Sequence, residues 1–323
     1  MATYLVTGAA GFIGSNLVQY LLDNGDSVVG MDNFITGLRT NLSFVDDHPN
    51  KGLFSFVEGD IRHIEDCKQA IKGADYVLHQ AAMGSVPRSI EEPLLYHENN
   101  ITGTLNMLWA AKEEGIKRFV FASSSSVYGN TPTLPKIETM IPRPISPYAV
   151  SKLTGEHYCA VFNTVYQLPT ISLRYFNVFG PKQSPESQYA AVIPKFVTGF
   201  LNGEPPIIYG NGEQTRDFTF IENVIKANIN ACTADSEAFG GAFNIGCGER
   251  ISINQLSDTI KQMTESKVDA IHESPRSGDV KDSLAAIENA ESHLGYKDLM
   301  PWKKGLEKTV QWYQSQVISE TTL

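Results

Sequence analysis

Short apolar runs and amphipathic stretches alternate along the first 175 residues. Tyr4-Leu5-Val6 is the first run, of the kind a buried parallel strand carries. In Ser15 to Leu22 the apolar residues Leu17, Val18, Leu21 and Leu22 fall at helical spacing, and Asn24-Gly25 stops that helix. Ser27 to Met31 is the next strand-like run, ended by Asp32. Phe54 to Val57, Ala74 to His79, Lys117 to Ala122 and Thr170 to Tyr175 read as the third to sixth strands. Asn99 to Gly115 reads as one long helix with Leu105, Leu108 and Trp109 on its apolar face. Residues 130–147 are rich in proline and threonine and read as a surface loop. A helix then opens at Ser146-Pro147 and carries Tyr148 and Lys152. This alternation predicts an α/β fold with a doubly wound parallel sheet.

Beyond Asn177 the texture changes. Prolines at 181, 185, 194, 205 and 206 break the chain into short pieces. We read residues 1–176 as one domain and 177–323 as a smaller C-terminal α/β domain. Segments near 217–247 are expected to return to the first: a helix around Ile221 to Ala231 and the run Ala242 to Ile245. The polar tail after Ser315 is expected to fray.

Composition narrows the picture. A net charge of −10 argues against nucleic-acid binding through a basic surface. The cysteines Cys67, Cys159, Cys232 and Cys247 form no C-x-x-C pair and read as buried thiols in a reducing compartment. No signal peptide is visible, and no apolar run approaches about 18 residues. The expectation is a cytosolic protein with no membrane span and no metal site.

The chemistry begins between the first strand and the first helix. Gly8, Gly11 and Gly14 stand there, in the context a Rossmann dinucleotide motif requires. Gly8 permits the tight turn, Gly11 lets backbone approach a pyrophosphate, and Gly14 lets helix and strand pack closely. The helix N-terminus around Phe12 and Ile13 offers unpaired N–H groups to phosphates. Asp32 lies 24 residues after Gly8, near the spacing of an acid that binds the ribose of NAD. It is followed by Asn33 and not by an arginine, which favours NAD over NADP. Asp60 ends the third strand region, where it reaches an adenine or caps the next helix. Gln80, Ala81 and Ala82 follow the fourth strand, and the two alanines suit close approach of a ligand.

Tyr148 and Lys152 stand four residues apart, hence one turn apart on one helix face. A nearby lysine cation and the positive nicotinamide of NAD favour phenolate over a phenol of pKa near ~10, making Tyr148 a candidate general base. Four serines, Ser123 to Ser126, end the fifth strand, and Ser124 is the candidate partner of Tyr148.

These residues resemble the extended short-chain dehydrogenase/reductases of the sugar-nucleotide epimerase/dehydratase type. The similarity rests on Thr7 to Gly14, Asp32-Asn33, Gly59-Asp60-Ile61, His79-Gln80-Ala81-Ala82, Ser123 to Gly129, Tyr148 to Lys152 and Arg174 to Gly180. It implies an NAD site that also includes Ile61, Lys152 and Tyr175. The 4,6-dehydratases of the family carry an Asp-Glu pair before Val-Tyr-Gly, where this chain has Ser125 and Ser126. The resemblance therefore implies 4-epimerase chemistry on a UDP-sugar, with Ser124, Tyr148 and Lys152 catalytic. It assigns substrate contacts to Ser85, Ser124, Ser125, Tyr148, Asn177, Gln183, Ala191, Val192, Arg216, Arg276, Asp279 and Ser283. Ser283 falls where glucose/galactose-restricted members carry a bulky tyrosine. Within the family the chain is most similar to bacterial UDP-N-acetylglucosamine 4-epimerases. A 4-epimerase of UDP-glucuronate or of an N-acetylated uronate is the nearest alternative, because it shares the serine-rich motif; Asn177 speaks against plain glucuronate, and Arg88 can meet the carboxylate of an N-acetylated uronate. A non-catalytic NAD sensor and an NAD(P)H-consuming reductase are further alternatives. Apolar residues in excess of one buried face on the helices at 99–115 and 148–166 point to a homodimer, and the resemblance implies that these helices pair as a four-helix bundle.

Overall fold

The computed structural model describes residues 1–185, 191–275 and 282–321, with side chains described as far as residue 316. All six expected strands form: β1 (Thr3–Thr7), β2 (Ser27–Asp32), β3 (Phe54–Glu58), β4 (Tyr76–His79), β5 (Arg118–Ser124) and β6 (Thr170–Tyr175). The intervening helices are α1 (Phe12–Asp23), α2 (Ile64–Ala70), α3 (Val86–Glu91), α4 (Pro93–Tyr96), α5 (Gly103–Glu114) and α6 (Pro147–Tyr166). The chain continues through β7 (Val178–Phe179), α7 (Val192–Asn202), β8 (Ile207–Tyr209), β9 (Thr215–Arg216), β10 (Thr219–Phe220), α8 (Ile221–Thr233) and β11 (Ala242–Ile245).

Seven strands make one sheet in the order β11-β6-β5-β4-β1-β2-β3, every neighbour parallel. The order reverses between β1 and β4, which opens a crevice at the carboxyl ends of those strands. Successive side chains point to opposite faces. Leu5, Val77, Phe119 and Phe121 pack with Cys67, Met107, Leu108 and Phe162 on one face. Tyr4, Val6, Leu78, Val120 and Ala122 pack with Leu17, Leu21, Val224 and Ala227 on the other. Both faces are covered, as a wholly parallel sheet needs. Ala242 to Ile245 does return to the sheet, beside β6, as the sequence leads one to expect.

Three expectations need correction. The segment Asn99 to Gly115 is not one α-helix: His97–Thr102 is a π-helical turn, and α5 starts only at Gly103. That turn carries Asn100, whose amide bonds both backbone groups of Met83 and the Ser151 hydroxyl. One extra residue per turn re-aims a polar side chain inward, at the expense of regular helix. The tail does not fray at Ser315, since a last helix runs over Trp302–Thr321. Cys247 is only half-buried, whereas the other three thiols are buried. No helix among the described residues is long and apolar enough to cross a membrane.

Candidate active site

A parallel sheet places every strand's carboxyl end on one edge, and the candidate residues collect there. Gly8 follows β1, Asp32 ends β2, Gln80 follows β4, Ser124 ends β5 and Tyr175 ends β6. Gly8, Gly11, Asp32, Asn33, Ile61, Gln80, Ala81 and Ala82 line one groove. Ile35, Thr36, Met83 and Asn99 line it as well. Sequence reading missed Ile35, Thr36 and Asn99; for Asn99 the available signal was the polar Asn99-Asn100 pair inside an otherwise helical pattern.

The groove fits a dinucleotide on geometry. Gly8 adopts φ +68, and a Cβ on it would meet Ala81 N at 2.8 Å. A Cβ on Gly14 would lie 2.0 Å from the Gly8 carbonyl oxygen, so only glycine lets α1 approach β1 this closely. Phe12 and Ile13 form the first turn of α1, behind Gly11, which is its N-cap. Asp32 is buried and accepts hydrogen bonds from Ala10 N (2.9 Å) and Phe34 N (2.8 Å). Burial raises its carboxyl pKa, and the backbone N–H groups oppose that rise. Among the described residues no cluster of His, Cys, Asp or Glu is arranged to hold a metal ion.

Asp60 does not cap α2, whose N-cap is His63. Its carboxylate accepts from Arg62 Nη2 (2.6 Å) and Asn33 Nδ2 (3.0 Å), which brings its pKa down to about 2 despite partial burial. It braces Asn33 from behind. Tyr175 plays a similar part: its hydroxyl donates to Gln80 Oε1 (3.2 Å) and accepts from Asn228 Nδ2 (2.9 Å).

The helix bearing Tyr148 and Lys152 starts where Ser146 accepts from Ala149 N and Pro147 occupies the first turn. Ser124 stands beside Tyr148, and its Oγ accepts from Ser126 N (3.2 Å). Lys152 is buried and donates to the Ala122 carbonyl (2.8 Å). Its Nζ lies 5.9 Å from the Tyr148 ring centroid. Burial pushes the Lys152 amine down to about 8. The Tyr148 phenol is raised, chiefly by burial, while Ser124 pulls it down and Tyr96 pushes it up. Ser124 thus favours the phenolate, and Lys152 stands one helical turn away on the same helix.

Tyr96 meets Tyr148 edge-on, 6.4 Å between centroids, and its hydroxyl accepts from Ser85 N (3.0 Å). Ser85 caps α3 by accepting from Arg88 N. Ser125 opens the short 3-10 turn that follows Ser124. A second cleft, of about 520 Å³, is lined by Asn177, Ala191, Val192 and Arg216, with Pro87 closing one side. Phe218 joins that lining, as do Tyr209 and Gln214, which the sequence did not single out. Asn177 Nδ2 donates to Ser283 Oγ (3.0 Å) and to the Asp217 carbonyl (3.0 Å). Ser283 is buried, and its Oγ also accepts from Asp217 N. Gln183 lies apart from that lining, donating to the Val178 carbonyl (3.2 Å). Arg276 and Asp279 fall outside the described residues.

Comparison with known proteins agrees with this geometry. Residues 4–246 match the model of the "NAD dependent epimerase/dehydratase family". A putative UDP-glucose 4-epimerase from Methanocaldococcus jannaschii is 39% identical over 96% of this chain and 98% of its own length. The structure of a UDP-N-acetylglucosamine 4-epimerase from Methanobrevibacter ruminantium, in complex with UDP-N-acetylmuramic acid, superposes with a TM-score of 0.91. It is 41% identical, over 98% of this chain and 99% of that one. A UDP-glucuronic acid 4-epimerase from Bacillus cereus, in complex with UDP-glucuronic acid and NAD, superposes with a TM-score of 0.89. It is 33% identical, over 97% of this chain and 99% of that one. A glycine turn that only glycine can make, a buried acid at the end of the second strand, a Ser-Tyr-Lys set and these likenesses converge, and the chain belongs to the NAD dependent epimerase/dehydratase family.

Proposed function

We propose that this protein is a UDP-sugar 4-epimerase that works with NAD held in the Gly8–Ala82 groove, and that its substrates are UDP-N-acetylglucosamine and UDP-N-acetylgalactosamine, with UDP-glucose and UDP-galactose as slower ones. The observation that carries the reaction type is Ser124 set beside Tyr148 so as to lower its phenol, with Lys152 one turn on and serines where eliminating relatives carry carboxylates. Tyr148 takes the proton of the sugar 4′-hydroxyl and later returns it to the oxygen on carbon 4. Ser124 shares that proton. Lys152 keeps positive charge beside the phenol. Bound in that groove, NAD would supply the hydride chemistry at carbon 4. Arg216, Asn177, Ala191 and Val192 line the cleft we assign to the nucleoside diphosphate, and Ser85 and Ser125 are assigned to the sugar. Residues 1–176, with 217–247, carry the cofactor in this reading, and the rest grips the UDP-sugar.

For the sugar, Ser283 supports an N-acetyl group, because a small side chain tied to Asn177 of the cleft stands where glucose/galactose-restricted relatives carry a bulky tyrosine. Arg88 favours a neutral sugar over a uronate, because its guanidinium already pairs with Glu92 (3.0 Å). The test incubates the protein with UDP-N-acetylglucosamine, UDP-glucose and UDP-glucuronate separately and reads the C4 epimer by NMR. Fastest conversion of the N-acetylated sugar is expected. Turnover of UDP-glucuronate alone would overturn the sugar assignment. Tyr148→Phe should lower kcat by roughly 10²–10⁴ with NAD still bound; an unchanged rate overturns the role of the phenol.

A further inference from the structure

We propose that Arg174 and Glu156 are positioning residues for the base: Arg174 holds the Glu156 carboxylate away from Lys152, so that the charge of the lysine is left to act on Tyr148. The inference rests on the reading of Tyr148 as the proton acceptor, and it concerns residues that the resemblance leaves without a role.

Lys152 and Glu156 stand four residues apart on α6, on the face turned to β5. Both are buried. They reach consecutive residues of that strand: Lys152 Nζ donates to the Ala122 carbonyl, and Glu156 Oε1 accepts from Ser123 Oγ. A buried acid and a buried lysine at this spacing would ordinarily pair. Here they form no ion pair. The carboxylate is taken on both oxygens by Arg174, with Nε to Oε1 at 2.9 Å and Nη2 to Oε2 at 2.8 Å. A planar guanidinium fork matches a carboxylate better than a single ammonium does.

Arg174 is itself fixed. It sits opposite Ser123 in the β5–β6 register, and its Nη1 donates to the Tyr128 hydroxyl (2.8 Å). Tyr128 in turn donates to Asn244 Oδ1 (2.7 Å), and Asn244 Nδ2 is held by the carbonyls of Lys136 and Ala286. The pair therefore spans three adjacent strands and cannot turn toward Lys152 without breaking this chain of bonds.

The other charged or titratable groups facing the site do not replace Glu156. His79 on β4 feels Lys152 and stays neutral through burial. Tyr96 acts on Tyr148, Cys159 faces Glu156, and Glu138 acts on Tyr128. Burial alone shifts the Lys152 amine. A Glu156 carboxylate released onto Lys152 would hold the ammonium but set a negative charge beside the phenol, disfavouring phenolate.

The experiment uses NAD-loaded protein with 13C-ζ-labelled tyrosine, the Tyr148 signal being assigned by its loss in Tyr148→Phe. Its NMR titration needs no turnover. In Arg174→Met the Tyr148 phenol should titrate about one pH unit higher, lowering the phenolate fraction at neutral pH roughly tenfold. The acid limb of kcat/KM with a UDP-sugar should move the same way. Adding Glu156→Gln to Arg174→Met should return both toward the wild type. A double variant as shifted as the single one, or no shift in the single variant, overturns the proposal. If Arg174→Met does not fold, Glu156→Gln decides alone, since it keeps an acceptor for Arg174 and removes the charge: Tyr148 should then titrate at or below the wild-type value, and a rise overturns the idea. Failure to turn over any UDP-sugar would count against the functional reading while leaving the NMR result to judge this one.

Discussion

Gly14 shows how a single atom decides a site. A Cβ there would stand 2.0 Å from the Gly8 oxygen and 2.7 Å from its carbon, both backbone, so no side chain can move aside. Either α1 retreats from β1 or the turn opens, and both spoil the groove. Gly14→Ala is expected to purify without NAD and to lose about 1–3 kcal/mol of stability, the usual cost of overpacking a tight contact. Urea unfolding and the nucleotide content of the purified protein check this, and a variant that keeps wild-type NAD overturns it. This residue and its spacing from Gly8 are legible in the chain, because a strand-glycine-helix string is local. Asp60 is the contrary case. Nothing within a few residues says that Asn33, from beyond the neighbouring strand, will join Arg62 in holding its carboxylate.

At the level of an element, β4 ends in a histidine that the sheet buries completely. The Thr104 hydroxyl is spent as a donor on the Asn100 carbonyl (2.6 Å), so the His79 Nε2–H donates to Thr104 Oγ1 (3.2 Å). Nδ1 then accepts from Thr7 Oγ1 (2.8 Å), and Thr7 Oγ1 accepts from Ala81 N. A neutral ring thus ties β1, β4 and α5 together and anchors the backbone of the groove. Burial, with Lys152 adding to it, pushes its pKa from 6.5 to about 3. The unfolded chain therefore binds the proton more readily, so this contribution is complete above pH 6.5 and is lost as pH falls toward 3. Asp217, which burial pushes up to about 6, acts in the opposite sense between 3.8 and 6. Comparing wild type with His79→Gln cancels Asp217, which both share. The Tm advantage of the wild type at neutral pH should shrink and reverse on acidification; a constant difference between the two Tm curves would falsify this account.

On the scale of the whole molecule, exposed apolar side chains gather on α3, α4 and α6. Ile90, Leu94, Val161 and Val165 are exposed, Leu94 at 78% and Val165 at 62%. Trp109 on α5 meets Tyr166 on α6 edge-on, 5.9 Å apart, beside them. A second copy of this chain is the occupant we propose for that face, since α3, α4 and α6 expose more apolar surface than one core needs. Sedimentation at assay concentration should show a dimer, and Leu94→Glu with Val165→Glu should release monomers that keep the fold by circular dichroism. A wild-type monomer would refute it.

The sequence by itself determined the elements and the kind of cofactor groove. Alternation of apolar residues, glycine spacing and the acid after β2 are local signals, readable wherever the next residue is a neighbour in space as well as in order. Only tertiary structure decided which element lies across from which. Tyr128 finds Asn244 across 116 residues, and Asn177 finds Ser283 across 106. Periodicity says that α6 turns one face to the sheet. It does not say that Arg174, from a strand beyond, will claim Glu156 and leave Lys152 to the phenol.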